Sequence, residues 1–374
     1  MMLKGATAAV SLSFLIACTA LRPFPKTASP CETPSDVRSL WRCLGAPDTN
    51  PKEGGLASTL RIATGDLTRR VVLNQTPSLS CNTKPWNGFE HVSQAVAGAD
   101  RLEAFVHAGD AKQPVVFVVH GLYDSNSNRY IRYAASALAD HGFGVVVPDM
   151  RWHGCLIGLT NTLGILESTD LMAWAKAVRD GQIRSLAGRP IGMIGFSLGA
   201  LDVIDTAALP DAADRFDAGT IAVSPPAAVG EVRRRLDRLR TPMALYFRLT
   251  LRMRNRRMGI PFWSRQPFRA YLDSVAASHI TPFHTMDDLI AAAEPTKRLG
   301  NIRRPLLILA AKNDPVLGQD AADAIATAAD SMSYVHVIKT DEGGHVGIIG
   351  RDPQWFVNAI TNFFANAPHV PPRP

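Results

Sequence analysis

The feature that most constrains the fold is an alternation. From Arg101 onward, short apolar runs take turns with segments of helical spacing. "PVVFVVHGL" (Pro114–Leu122), "FGVVVPDM" (Phe143–Met150), "RPIGMIGF" (Arg189–Phe196), "AGTIAVSPP" (Ala218–Pro226) and "PLLILAAKNDP" (Pro305–Pro315) are apolar nearly throughout. Such runs are expected where a strand is covered on both faces. "RLEAFVHA" (Arg101–Ala108) and "SYVHVIKT" (Ser333–Thr340) add a strand at either end. Between them, "RYIRYAASALADHG" has helical spacing and stops at Gly142, and "ESTDLMAWAKAVRD" opens on Ser168 and acidic residues. These are helix stop and start signals. "ALDVIDTAAL", "QDAADAIATAADS" and "PQWFVNAITNFFA" continue the series. Strand alternating with helix predicts an α/β chain with a doubly wound, mostly parallel sheet.

One segment interrupts the pattern. Between Pro225 and Arg304 no buried strand occurs, and the stretch holds basic, helical pieces such as "EVRRRLDRLRTPMALYFRLTLRMRNRRMG". An insert that leaves after one strand and returns before the next predicts a helical cap over the strand ends. The expected division is a signal peptide over 1–17, a lipidated N-terminus and tether over 18–40 and an N-terminal extension over 41–100. The α/β core covers 101–226 and 301–367, with the cap at 227–300. Within the extension only "TRRVVLN" (Thr68–Asn74) reads as a strand.

The candidate chemistry starts at "GMIGFSLGA", where Ser197 stands between Gly195 and Gly199 after a buried run and before a helix. Gly-x-Ser-x-Gly at a strand-turn-helix junction is a nucleophile elbow: the turn is too tight for flanking side chains, and the serine hydroxyl projects above the sheet. A serine needs a base. "DEGGHVGII" puts His345 in a glycine-rich loop after the last strand, whereas His336 lies inside that strand and His369 in the tail. The base needs an acid to fix its tautomer. Asp314, in "KNDPV" at the end of the preceding strand, is the candidate, with Asp341 and Glu342 as rivals on the histidine's own loop. The resulting order, Ser197, Asp314, His345, fits an acyl-transfer triad. The oxyanion donors are expected at the N–H groups of Leu198 and Leu122. His120, next to that second donor, is expected to hold loop backbone in place of acting as a base.

Together "HGLYDSNSNRYIRYAASALADHGFGVVVPDMRWHG", "GFSLGA", "AAKNDPV" and "EGGHVGI" resemble the α/β-hydrolase superfamily, and within it the YheT-like branch of carboxylesterases and lipid hydrolases. The resemblance covers about Arg101 to Ala367. It implies the α/β-hydrolase fold, a triad of Ser197, Asp314 and His345, and an oxyanion hole at Leu122 and Leu198. "HITPFHTMDDL" (His279–Leu289) is similar to the end of that branch's cap. Two positions depart from it. Tyr123-Asp124-Ser125 stands where a glycine is often found, and Arg151-Trp152 replaces the branch's Arg-Gly. Both line the mouth of the expected site and bear on substrate choice.

The N-terminus "MMLKGATAAVSLSFLIAC" reads as a secretory signal, with Lys4 before an apolar run too short to span a bilayer. "LIAC" resembles the lipobox of bacterial lipoproteins, which implies lipidation of Cys18. The expected location is the bacterial cell envelope, lipid-anchored and facing the periplasm, at the outer membrane. The remaining cysteines, Cys31, Cys43, Cys81 and Cys155, form an even set suited to an oxidising compartment. Their spacing leaves three pairings open, of which Cys31–Cys43 with Cys81–Cys155 is favoured.

The formal net charge of +7 raises nucleic acid or an anionic membrane as partners. Export and the lack of a recognition motif exclude nucleic acid. The arginines of the cap, interleaved with apolar residues, suit a membrane surface instead, or a face that is merely solvated or salt-bridged to the core. No cofactor and no metal site is expected: there is no phosphate-cradling glycine loop, no His-Glu-x-x-His helix, and no zinc spacing of cysteines. The expected function is a serine hydrolase cleaving carboxylic esters, of small molecules or lipids, through an acyl-enzyme on Ser197. A thioesterase or acyltransferase would use the same triad, and a non-catalytic envelope lipoprotein is the reading from another class.

Overall fold

The structure, a computed structural model, describes residues 34–44, 47, 81–96, 99–238 and 242–373. The signal segment, Cys18, most of the tether and the strand expected at Thr68–Asn74 lie outside those residues. The strands are β1 (Glu90–Val96), β2 (Ala99–His107), β3 (Val115–Val119), β4 (Gly144–Pro148), β5 (Ile191–Phe196), β6 (Thr220–Val223), β7 (Leu306–Ala311) and β8 (Val335–Thr340). They form one sheet in the order β1-β2-β4-β3-β5-β6-β7-β8. β1 and β2 are an antiparallel edge, and the pairings from β4 through β8 are all parallel. Among the described residues the sheet therefore begins at Glu90, inside the stretch read as an extension.

Among the described residues the α-helices of seven residues or more are α1 (Val37–Leu44), α2 (Arg129–Asp140), α3 (Ile165–Arg179), α4 (Leu198–Ala207), α5 (Val229–Arg238), α6 (Pro242–Asn255), α7 (Pro267–Ala277), α8 (Met286–Ala292), α9 (Gln319–Ala329) and α10 (Pro353–Asn366). Alternate strand residues face opposite ways. Val116, Val118, Ile194, Phe196, Ile221 and Leu307 meet α1, α2 and α10 on one face. Val115, Phe117, Val119, Met193, Ala222 and Ile308 meet α3, α4 and α9 on the other. Both faces are covered, which is why these strands read as unbroken apolar runs. α1 belongs to this core: Leu40 is fully buried, and Trp41 stacks on His336 and Phe363.

The segment between β6 and β7 forms α5 to α8. Its buried Leu236, Leu251, Phe268, Tyr271 and Leu272 cluster with Tyr123, Trp152, Leu198, Val316 and Leu317. Those partners sit just beyond the carboxyl ends of β3, β4, β5 and β7, so the helices cover the strand ends. Among the described residues, no helix is long and apolar enough to cross a membrane.

Candidate active site

Ligands of open parallel sheets bind beyond the carboxyl ends of the strands, and three side chains converge there. Ser197 joins β5 to α4 with φ +55° and ψ −114°, a backbone that L-residues avoid. Its neighbours explain the glycines of "GFSLG". A Cβ on Gly199 would lie 2.5 Å from the His120 carbonyl oxygen and 2.6 Å from that of Val119, and one on Gly195 would overlap the Gly199 carbonyl. The Ser197 N–H donates to the Val223 carbonyl at 2.9 Å, which fastens the elbow to β6.

His345 Nε2 lies 2.8 Å from Ser197 Oγ, and Nδ1 lies 2.7 Å from Asp314 Oδ2. With Nδ1–H donating to the carboxylate, Nε2 is left to accept the serine proton. The other carboxylate oxygen of Asp314 accepts from the N–H groups of Val316 and Leu317, at 2.8 and 2.9 Å. Asp314 is thus buried but fully hydrogen-bonded, with only one direction left in which to hold an imidazole. The rival acids point elsewhere: Asp341 pairs with Lys312 at 2.7 Å, and Glu342 lies 3.8 Å from Arg351.

The loop after β3 carries four candidate oxyanion donors, and its bonds single out one. The Gly121 N–H donates to the Tyr130 hydroxyl, that of Tyr123 to His153 Nε2, and that of Asp124 to the Gly121 carbonyl. Among the described residues the N–H of Leu122 donates to no protein group, and neither does that of Leu198, which opens α4. His120 receives the Met150 N–H on Nε2 at 3.1 Å and donates from Nδ1 to the Gly121 carbonyl at 2.9 Å. His153 does the same for Tyr123 and the Arg151 carbonyl. Two histidines therefore tie the loop after β3 to the loop after β4. The second, His153, stands in "RWHG", where the sequence points only to Arg151 and Trp152.

Two further features gave no sequence signal. Asp149, at the end of β4, accepts the N–H groups of Asn126 and Cys155, and burial pushes its carboxyl up to about 7. It thereby holds the segment bearing the Cys81–Cys155 disulfide, the pairing favoured from the sequence. Cys43 is disulfide-bonded as well, and its expected partner, Cys31, lies outside the described residues. Between α3 and α4 lie the buried acids Glu167, Asp170, Asp202 and Asp205. Arg151 grips Asp170 through two bonds of 2.7 and 2.9 Å, and Thr162 and Gly164 bond Glu167. Asp202 has no hydrogen-bond partner among the described residues. Burial first, then the neighbouring acids, raise its carboxyl well above the usual range. Among the described residues no group of three or more His, Cys, Asp or Glu could hold a metal ion.

The fold and the site define a class of α/β enzymes with a serine at a strand-to-helix elbow. Residues 115–359 match the model of the alpha/beta hydrolase family, and the chain belongs to that family. Among curated proteins it is similar to the medium-chain fatty acid ethyl ester synthase/esterase 2 of Saccharomyces cerevisiae, 30% identical over 93 residues. That match takes in 25% of this chain and 20% of the yeast protein. Among solved structures, an esterase of Pyrococcus furiosus superposes with a TM-score of 0.55 at 18% identity, over 76% of this chain and 97% of its own. An acylaminoacyl peptidase of Pyrococcus horikoshii gives 0.53 at 15% identity, over 75% and 42%. At these identities the structures speak for the fold alone.

Proposed function

We propose that the protein is a serine hydrolase of carboxylic esters that works through an acyl-enzyme on Ser197, in the YheT-like branch of its family. The observation that carries this reading is the unbroken chain from Ser197 Oγ through His345 to Asp314, at 2.8 and 2.7 Å. In the proposed reaction His345 takes the Ser197 proton as Oγ attacks the ester carbonyl carbon. The oxygen that becomes negative accepts from the N–H groups of Leu122 and Leu198. The imidazolium, held by Asp314, then gives its proton to the departing alcohol, and water repeats the sequence on the acyl group.

The name of the yeast relative pairs ester synthesis with ester hydrolysis. A second reading follows for this chain: an alcohol takes the place of water and the acyl group is transferred. Thioester cleavage would use the same groups. We further propose that Cys18 is lipidated and holds the enzyme on the periplasmic side of a bacterial envelope membrane, as the "LIAC" motif supports. Its substrates in that setting are small-molecule or lipid esters.

The test is fluorophosphonate labelling followed by a panel of esters, thioesters and amides, with and without an added alcohol. The reading predicts labelling at Ser197 and fastest turnover of esters. An unlabelled protein without ester turnover would leave the fold as a binding module.

A further inference from the structure

The four exposed large hydrophobic side chains among the described residues, Leu249, Met253, Trp263 and Ile280, all fall in the α5–α8 insert. Leu249, Arg252, Met253 and Arg256 are spaced i, i+3, i+4, i+7, so they share one face of α6 and the turn that continues it. Arg252 donates to the Ser264 carbonyl at 3.1 Å, which brings the next loop beside that face. That loop carries Trp263, which is 81% exposed, and Arg265, which is also exposed. From Arg238 to Leu272 the chain has nine arginines and no Asp or Glu. The acids that flank it are Asp237 and Asp273, the latter 3.6 Å from Arg269.

We propose that this face of the insert is a docking surface for an anionic lipid bilayer. Indole, leucyl and methionyl side chains enter the interfacial region of a membrane, and arginines beside them meet lipid phosphates. A site built for nucleic acid would not need three solvent-exposed apolar chains between its cations. The proposal rests on the reading above that the enzyme works at a membrane, and it names a second contact besides the Cys18 anchor. With the insert seated on lipid, the strand ends beneath it face the source of acyl chains.

The full chain with Cys18→Ser tests it without the anchor, by sedimentation with phosphatidylglycerol–phosphatidylcholine vesicles and with phosphatidylcholine alone. Binding is expected to the anionic vesicles, weakening as salt rises. Arg256→Gln with Arg265→Gln should weaken it roughly thirtyfold, and Leu249→Ser with Trp263→Ser about tenfold. Turnover of a short soluble ester should be the same in all three proteins, and it tests the esterase reading separately. Equal vesicle binding by the variants, or none by the parent, overturns the proposal. Equal binding of duplex DNA, insensitive to Leu249→Ser and Trp263→Ser, overturns it in favour of a polyanion.

A separate observation concerns His345. The "GGHV" backbone is left-handed at Gly344 and Val346, with φ +62° and +54°. The N–H on each side of the histidine is held by a side chain from a different strand end. Asn313, after β7, accepts from Gly344 at 2.8 Å, and Ser224, after β6, accepts from Val346 at 3.1 Å. Ser224 is itself buried and left-handed, with φ +52°. We infer that Asn313 and Ser224 are positioning residues that clamp the base between Ser197 and Asp314; this rests on the proposed mechanism. Ser224→Ala and Asn313→Ala should each lower kcat about tenfold with KM unchanged, and slow fluorophosphonate labelling alike. A fall in melting temperature with kcat intact would make both groups merely structural. An inactive parent would instead defeat the mechanism itself.

Discussion

The indole of Trp152 lies flat on the phenol ring of Tyr271, with centroids 4.5 Å apart and planes 14° from parallel. This joins the loop after β4 to α7 of the insert. Trp152 reaches it from a left-handed backbone, φ +72°, and Tyr123, after β3, has φ +66°. These are the two places where the family resemblance expects glycine nearby. At both, the backbone is left-handed as glycine favours, and the side chains are buried beneath the cap. Local strain of about 1–3 kcal/mol per residue is offset by aromatic packing.

That relationship is testable with a pair of variants. Trp152→Ala keeps the strain and loses the stack, and Trp152→Gly loses both. Both should lie about 3–5 kcal/mol below the parent in urea denaturation, with the glycine variant about 1 kcal/mol the more stable. Identical midpoints would show that residue 152 is not strained.

Ser197→Ala should abolish ester turnover and labelling while the melting temperature holds, since it removes one half-exposed hydroxyl. Asp314→Asn should lower kcat by about 10⁴ through the wrong histidine tautomer. Asp341→Asn, whose parent side chain pairs with Lys312 at the surface, should change little. Steady-state kinetics on one soluble ester compares all three, and the reverse ranking of the two acids would reassign the triad.

Stability should fall as pH rises from about 4 to 7. Burial raises the carboxyls of Asp149 and Asp205 to about 7 from their usual 3.8, so the folded chain holds protons that the unfolded chain releases in that window. Asp323 and Asp341 are shifted down by Lys339 and Lys312, so their contribution is lost only as pH falls below the ordinary carboxylate range. Asp202→Asn should raise the melting temperature at pH 8 more than at pH 5, because the buried asparagine stays neutral at both. Equal shifts at the two pH values would mean that burial does not raise the Asp202 carboxyl above its unfolded value.

The Cys81–Cys155 bond spans a sequence separation of 74. Replacing both cysteines by serine should cost about 4 kcal/mol on loop-entropy grounds. Calorimetry of the double variant measures this, and an unchanged transition would show that Asp149 alone fixes the segment.

Cys18→Ser should move the protein from the membrane fraction to the soluble periplasmic fraction, since an acyl chain contributes about 0.8 kcal/mol per buried CH₂. Fractionation of expressing cells, with mass spectrometry of the mature N-terminus, decides it. An unmodified N-terminus in the parent would refute lipidation.

How much of this could be read beforehand depended on pattern length. The strands β3 to β7 were legible because both their faces are buried, and Ser197 because a tight turn forces glycine at fixed offsets. β1 was not: "EHVSQAV" is a half-polar edge strand paired on one side only, and such segments resemble loops. α1 was missed because eight residues after a proline-rich stretch show too little periodicity. The partners of His345 could be proposed from chain order. Its clamp could not, because Ser224 and Asn313 meet the histidine loop only after the sheet has formed. His153 and Asp149 likewise act through backbone N–H groups, which leave no mark in the sequence.

The placement of the insert between β6 and β7 also sets the order in which activity can arise during folding. β3, β4, β5 and β6 all come from residues 115–223, ahead of the insert, and the longest gap among them, from β3 to its neighbour β5, is filled by α2, β4 and α3. The β6–β7 ladder, which joins Thr220–Val223 to Leu306–Leu309, closes across the whole insert, so β7 and β8 are added to a sheet whose other strands precede it in the chain. Asp314 and His345 both lie beyond that step. We expect a refolding intermediate with most of its sheet formed and its serine elbow built, yet with no base beside the hydroxyl. Circular dichroism should recover well before esterase activity in a refolding time course. Simultaneous recovery would show that the insert folds first and draws β7 in with it.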